Sequence, residues 1–361
     1  MNNTYFVHLL DDFSGSPKVL SLVLRNFPCS KVFIGSSSQG FISGTGNVLY
    51  EYFYKRGNNK FATLLYYILS QLHLFFIMCQ QLKKESDTKN VTVVINTILP
   101  FGAAFAAKLY KAKVVYYIHE TSIAPKLLKV FLLKIINNLS DKNIYVSQYL
   151  LNDLQLRTLH QTVVYNSISK EFECIRLDQS ELKRKWESKR VFMACSLKDY
   201  KGIPEFLSLA KELKVFNFKL AINDEPHNAE SYFSKLRVPK NVSIECRPQN
   251  ILSEYKESFL VLNLSDQHAW IETFGLTILE AMSAYTPVIG PIVGGPVEVI
   301  RNGIDGFNID SKDVSQIYKI IKEYSMDYSL WCEMAISAKG RSNVFSLSKF
   351  DENIVREILG A

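Results

Sequence analysis

The six cysteines of this 361-residue sequence (Cys29, Cys79, Cys174, Cys195, Cys246 and Cys332) are scattered, with no Cys-x-x-Cys pair and no His cluster beside them. That spacing argues against a disulfide framework and against a zinc site, and makes a reducing cytosol the default compartment. No Asp-x-Asp occurs, and no motif demands a metal. Low-complexity tracts and short repeats are absent, so the chain does not read as a disordered or repeat protein. The opening MNNTYFVHLLDDFSG lacks the basic start and long apolar core of a signal peptide. No clean run of 18 apolar residues exists either. The longest apolar stretch, 61–82, is interrupted by Ser70, Gln71, His73, Gln80 and Gln81. It reads as a core or surface-docked helix rather than a membrane span, with His73 a satisfied structural side chain.

What is present suits a globular protein with a real core: 47% hydrophobic and 21% charged residues, enough length for about two domains. The net charge of +7 is uneven. Residues 1–165 carry +9 and the remainder −2. A basic half suggests an anionic partner. Nucleic acid is one candidate, but aromatic-interleaved basic motifs are missing. An anionic membrane surface or a lipid-linked phosphate is the other.

Short β-branched runs alternate with helical stretches through both halves. In the first, strands are expected at 5–10, 31–34, 91–95, 113–118, 143–146 and 162–165, with helices from 19, over 61–82, over 102–110 and from Ser147. The polar loop 35–47 is too long for a mere connector and reads as mobile or functional. The charged stretch 166–189 reads as a linker with a helix entering it. In the second half, strands are expected at 190–195, 218–222, 242–246 and 260–264. This alternation predicts an α/β architecture of two parallel sheets with crossover helices. Functional groups then gather at the carboxyl ends of strands. In the first half that singles out Ser14-Gly15-Ser16, the stretch 96–102, and His119-Glu120.

The most informative stretch is 266–307, DQHAWIETFGLTILEAMSAYTPVIGPIVGGPVEVIRNGIDGF. Between Thr273 and Ala284 the only charged side chain is Glu280, on a helix apolar enough to be buried nearly all round. A carboxylate there is costly unless it is paired or hydrogen-bonded. The N–H groups of Phe274, Gly275 and Leu276 open that helix, ready for an oxygen-rich ligand. Neighbouring hydroxyls, such as a ribose pair, would satisfy Glu280; a structural salt bridge is the alternative. Gly294-Gly295 lets backbone approach a ligand closely. Upstream, Lys201-Gly202 closes the segment 196–202 (SLKDYKG) as a helix begins. A cation is disfavoured at a helix start, so phosphate binding is the better reading for Lys201.

The stretch resembles family 4 of the retaining glycosyltransferases (group 1 glycosyltransferases), of the bacterial surface-polysaccharide type. Glu272-Thr273-Phe274-Gly275 with Glu280 matches the family's Glu, seven residues, Glu signature. Gly294-Gly295 with Glu298, then Asn302-Gly303 and Gly306-Phe307, match the family's Gly-Gly, Glu and Asn-Gly…Gly-Phe pattern downstream of that signature. Val146-Ser147 and Tyr165-Asn166-Ser167 resemble interdomain landmarks, with Ser167 where Gly is usual. The resemblance covers nearly the whole chain.

It implies a GT-B fold: two Rossmann-like domains facing across a cleft. Residues 1–168 would form the acceptor domain, joined by a C-terminal helix (345–361) that crosses back. Residues 169–344 would form the nucleotide-sugar donor domain. Glu272, with Thr273 and the N–H groups of Phe274 and Gly275, would hold the donor sugar beside Leu276 and Gly295. Glu280 would take the ribose and Lys201 the diphosphate. Gly15 and Ser16 would close over the phosphates, and His119 would sit beside the transferred sugar. Glu272, His119 and Lys201 are the implied catalytic residues. One departure stands out: Ser196 occupies the place of a usual Arg and supplies no fixed charge.

The expected reaction is retaining transfer from a nucleoside-diphosphate sugar, a UDP-sugar by family habit, to a hydroxyl of a glycan or polyprenyl-diphosphate-linked acceptor. It needs no cofactor, no metal and no nucleic acid. Residues 124–138, with Lys126, Lys129 and Lys134 among apolar residues, would dock on an anionic membrane or pack on the core with solvated lysines; both stay open. A cytoplasmic enzyme, peripheral on the inner face of the plasma membrane, is the expected setting. A sugar-nucleotide epimerase of GT-B fold and a non-catalytic nucleotide-sugar-binding subunit are the rival readings.

Overall fold

The computed structural model describes residues 3–36 and 39–360. Ser37 and Ser38, within the loop read as mobile or functional, lie outside the described residues. The chain divides into two compact units: Met1–Tyr165 with Ser348–Ala361, and Asn166–Leu347.

The first unit is built on a seven-stranded, all-parallel sheet: β1 (Asn3–His8), β2 (Lys31–Gly35), β3 (Val48–Tyr52), β4 (Val91–Asn96), β5 (Lys113–Ile118), β6 (Lys142–Tyr145) and β7 (Gln161–Val163), in the order β3-β2-β1-β4-β5-β6-β7. The central strands are buried on both faces, which is why VTVVIN and KVVYYI read as unbroken apolar runs rather than alternating ones. The strand order reverses between β1 and β4, so the crevice beyond their carboxyl ends is the expected ligand site of such a sheet. The C-terminal helix Leu347–Leu359 buries Phe350, Ile354 and Ile358, one apolar stripe at helical spacing. From the same helix, Glu357 pairs with Lys142 at 2.7 Å and Asp351 accepts from Asn26 at 2.7 Å.

The second unit repeats the plan with six parallel strands: β8 (Arg190–Cys195), β9 (Asn217–Ile222), β10 (Val242–Cys246), β11 (Leu260–Leu262), β12 (Val288–Gly290) and β13 (Gly306–Asn308), in the order β10-β9-β8-β11-β12-β13. Its core packs Val191, Phe206, Leu209, Leu260 and Trp331, each worth roughly 1.5–3 kcal/mol on burial. The Trp331 indole N–H donates to the Phe259 carbonyl at 2.8 Å. Here the order reverses between β8 and β11.

Three expectations need correction. β3 was not anticipated: VLYEY is a partly exposed edge strand with mixed pattern. The first helix spans Gly15–Leu24, four residues earlier than expected, with Pro17 in its first turn. Residues 166–189, expected as a linker with a helix entering it, do contain helix but are part of the second unit. They form helices Lys170–Glu173 and Gln179–Glu187, and Leu182 and Lys185 on the latter are buried. Ser167 donates to the Phe345 carbonyl at 2.6 Å, a bond the more usual glycine could not make.

Candidate functional site

In the second unit, two loops at the β8/β11 reversal are fastened together. The Asp266 N–H donates to the Tyr200 carbonyl at 2.8 Å, and the Tyr200 and Trp270 rings stack with centroids 5.6 Å apart. Between them lies Lys201. Its Nζ is 3.0 Å from Glu272 Oε2, donates to Ser265 Oγ at 3.4 Å, and sits 5.3 Å from the centre of the Trp270 ring. Gly202, with φ of 85°, turns the chain from that lysine into the helix Ile203–Glu212; a Cβ there would lie 2.2 Å from Leu264 Cβ. Ser196 stands on the same loop, partly exposed, its carbonyl accepting from the Lys198 N–H at 2.8 Å.

Glu272 and Thr273 lead into the helix Leu276–Ser283, whose N-cap Gly275 is left-handed (φ 94°) and offers no side-chain cap. Its first N–H groups therefore present partial positive charge beside the Glu272–Lys201 pair. Leu276 is partly exposed there, while Phe274 is buried with its ring 5.8 Å from Phe345. Gly294 and Gly295 fit differently from the sequence expectation. What they approach is the chain of Glu272 and Thr273: a Cβ on Gly294 would sit 2.2 Å from the Glu272 carbonyl, and one on Gly295 2.2 Å from that of Thr273. The Gly295 N–H donates to the Glu272 carbonyl at 2.9 Å. The glycine pair is the seat on which Glu272 rests.

Glu280, one turn into that helix, is 4% exposed. Beside it lies the phenol of Tyr255, from the helix Ile251–Glu257. Burial, and then the Glu280 carboxylate, raise the Tyr255 hydroxyl well above its ordinary range; among the described residues this hydroxyl is buried without a well-formed hydrogen bond. Both helices end on one cation. Lys185 Nζ donates to Ala284 O (2.6 Å), Thr286 Oγ1 (2.6 Å) and Tyr255 O (3.0 Å). A cation at two helix carboxyl ends complements their dipoles. Burial holds the Lys185 ammonium well below its usual range, so the arrangement fixes the helices at an electrostatic cost.

In the first unit the reversal brings together His8 at the end of β1, Asn96 at the end of β4 and His119 just after β5. The Asn96 amide nitrogen donates to His8 Nδ1 (3.0 Å) and to the Ser16 carbonyl (3.4 Å), while its Oδ1 lies 2.8 Å from His119 Nε2. That orientation makes His119 Nε2 a donor, and burial disfavours the charged form of both rings. Burial, then the neighbouring His8, push His119 down to about 3. Gly15 opens the helix above, exposed, with Ser14 as N-cap making no side-chain capping hydrogen bond. Asp11 ties down the loop that follows β2, accepting from the N–H groups of Ile42 and Ser43 at 2.8 Å each. Glu120 accepts from the Ile98 N–H at 3.0 Å, yet its other carboxyl oxygen is buried without a hydrogen bond among the described residues; burial raises the group to about 7.

The structure thus gathers Lys201, Glu272, Thr273, Gly275, Leu276, Glu280 and Gly295 in one unit, and Ser16 and His119 in the other. Sequence reasoning missed Tyr255, Lys185, His8 and Glu120's unusual acidity. His8 closes an ordinary strand run, and only the sheet order reveals it as a site neighbour. His73 has the structural role expected of it: its Nδ1 accepts from the Phe53 N–H at 2.8 Å. A cavity of about 810 Å³, lined by Arg184, Arg190, Lys219 and Lys256 among others, lies at the amino ends of β8–β10, the opposite end of the sheet from the signature.

Residues 176–340 match the family described as Glycosyl transferases group 1. Sucrose synthase of Melioribacter roseus is 34% identical over 116 residues, 31% of this chain and 14% of that protein; the match therefore spans a small part of that relative. Over the whole chain, Anabaena HepE in complex with UDP-glucose has a TM-score of 0.81 at 16% identity, covering 99% of this chain and 100% of that one. A glycosyltransferase from Rickettsia africae ESF-5 has a TM-score of 0.71 at 19% identity, covering 99% of each. Residues 176–340 form a domain of the glycosyl transferases group 1 family, within a chain that has the two-domain fold of the GT-B glycosyltransferases throughout.

Proposed function

We propose that this protein is a retaining glycosyltransferase that moves a sugar from a UDP-sugar to a hydroxyl of a glycan or lipid-linked saccharide in surface-polysaccharide synthesis. The observation that carries this reading is the Lys201–Glu272 pair at an uncapped helix start, with Glu280 buried one turn further along the same helix. HepE, similar in fold, was solved with UDP-glucose.

In this reading the sugar hydroxyls take Glu272, the ribose hydroxyls take Glu280, and Lys201 turns to the diphosphate. Charge that grows on the leaving diphosphate is met by Lys201 and the helix N–H groups, already oriented before reaction. Ser196 adds a hydrogen bond but no charge. Double displacement by two close carboxylates needs a free nucleophile. With both glutamates assigned to hydroxyls, a same-face transfer fits better, the departing phosphate oxygen taking the acceptor proton. His119, held neutral by burial, suits a hydrogen bond to the sugar rather than acid catalysis. The setting is cytoplasmic, at the inner face of the plasma membrane.

A panel of nucleotide sugars scored by thermal shift tests the donor, since a ligand bound only to the folded state stabilises it by RT ln(1 + [L]/Kd). Stabilisation by a UDP-sugar, followed by an NMR-defined product with the donor's anomeric configuration, is the expected result. No shift with any nucleotide sugar, or an inverted linkage, would overturn the reading.

A further inference from the structure

Three neighbouring helices of the first unit turn apolar side chains to solvent. Along Lys60–Leu82, Phe61 (87% exposed), Leu65, Ile68, Leu72 (53%) and Phe76 (60%) recur every three to four residues, one outward stripe. The opposite side of the helix is fixed to the domain. Tyr67 donates its hydroxyl to the Leu99 carbonyl at 2.6 Å, and Gln71 Oε1 accepts from the Gly102 N–H at 3.1 Å. Gly102 permits the close approach, since a Cβ there would lie 2.2 Å from the Gln71 carbonyl. Its helix, Phe101–Leu109, exposes Phe105 and Leu109. The third helix, Lys126–Leu139, meets it through Phe101 and Phe131 (5.4 Å) and exposes Leu127 (83%) and Val130. A soluble monomer rarely leaves so many large apolar side chains uncovered together.

We propose that these helices form a docking face for an anionic lipid bilayer, with Lys60–Leu82 lying flat in the headgroup boundary; this rests on the proposed function and deepens it. The charge pattern selects the occupant. None of the three helices contains an Asp or Glu, while Lys60, Lys108, Lys126, Lys129 and Lys134 are spread among them. Protein interfaces rim an apolar centre with polar groups of both signs. An apolar stripe on helices that contribute cations and no carboxylates, with Lys108 paired to Asp141 at 2.6 Å beside them, is complementary to acyl chains below anionic headgroups. The helix is also long enough to cross a bilayer by length and composition. Tyr67 and Gln71 on its inward side are already bonded to the domain, which favours lying along the surface with that side kept.

The test is flotation of the full chain with phosphatidylcholine vesicles, alone or containing phosphatidylglycerol, beside Leu65→Gln/Leu72→Gln/Phe76→Gln and Lys126→Gln/Lys134→Gln. Thermal unfolding of each variant checks the fold. The wild type should float with the anionic vesicles. The apolar triple variant should partition at least roughly tenfold less, and the lysine variant should lose the preference for phosphatidylglycerol. The proposal is overturned if the folded triple variant floats like the wild type, or if the wild type floats with neither vesicle. It also fails if the same substitutions dissolve a concentration-dependent dimer instead, which would make a second copy the occupant. Flotation without any nucleotide-sugar binding would count against the donor reading alone.

Discussion

The Lys201 ammonium lies 3.0 Å from the Glu272 carboxylate, and the two come from loops on either side of the strand-order reversal in the second unit. The pair is only partly buried, with side-chain exposures of 17% and 20%, so its contribution to stability is small, about 0–1 kcal/mol. Its value is in holding two functional groups at set positions. Glu272→Gln is therefore expected to leave the unfolding temperature nearly unchanged while lowering kcat/KM by roughly 100-fold or more. Initial-rate kinetics beside thermal unfolding separates the two effects. Equal losses of stability and activity would make the pair merely structural.

Glu272 depends in turn on the glycine pair behind it. At Gly294 the backbone is left-handed (φ 98°) and a Cβ would collide with the Glu272 carbonyl at 2.2 Å. Gly294→Ala should cost about 1–3 kcal/mol of stability and displace Glu272. Urea unfolding and titration with donor measure both. A variant that keeps wild-type stability would show that the contact relaxes freely.

Lys185 acts at longer range. Truncating it to Met leaves Tyr255 O, Ala284 O and Thr286 Oγ1 without their shared donor. A loss of about 1–3 kcal/mol is expected from the unsatisfied acceptors, together with weaker donor binding as the Leu276–Ser283 helix loosens. Tyr255→Phe removes a hydroxyl that makes no well-formed bond among the described residues, so it should change stability by less than about 1 kcal/mol. Donor affinity should still fall if the phenol positions Glu280. Calorimetric titration and unfolding of both variants decide; unchanged affinity in both would leave these residues with no part in the site.

The first unit carries a pH signature with opposing signs. Burial holds His8 and His119 below their ordinary value of 6.5, His119 at about 3. The unfolded chain then binds more protons on the acid side, so their contribution is full above pH 6.5 and is lost as pH falls toward 3. Glu120 is raised from 4.5 to about 7. The folded chain keeps a proton that the unfolded chain has released, so its contribution is full below 4.5 and is lost as pH rises through 7. Glu120→Gln should stabilise the protein by about 1–2 kcal/mol more at mildly alkaline than at mildly acidic pH. Chemical unfolding at the two pH values checks this, and an equal effect at both would contradict it.

Much of this was legible in the residues. The apolar run around Glu280 announced a buried helix because a lone carboxylate is conspicuous there, and β-branched runs announced parallel strands. The last helix was expected through the family resemblance, and its buried Phe350, Ile354 and Ile358 stand at helical spacing. Other parts were hidden for physical reasons. The helix Gln179–Glu187 was anticipated, but its charged exterior outweighs its few buried positions, so its packing into the second unit did not show. β3 lies at a sheet edge, where one exposed face erases the apolar signal. The meeting of Lys201 with Glu272, of Tyr255 with Glu280 and of His8 with Asn96 depends on strand order. Residues separated by tens of positions leave no local pattern to read.

The most direct test of the account is Glu280→Ala, assayed by calorimetric titration with a UDP-sugar alongside thermal unfolding. Glu280 is taken to bind the donor's ribose, so the variant should remain folded and lose donor affinity by roughly tenfold or more. A variant that binds the donor as the wild type does, or that simply fails to fold, would contradict the donor site as placed.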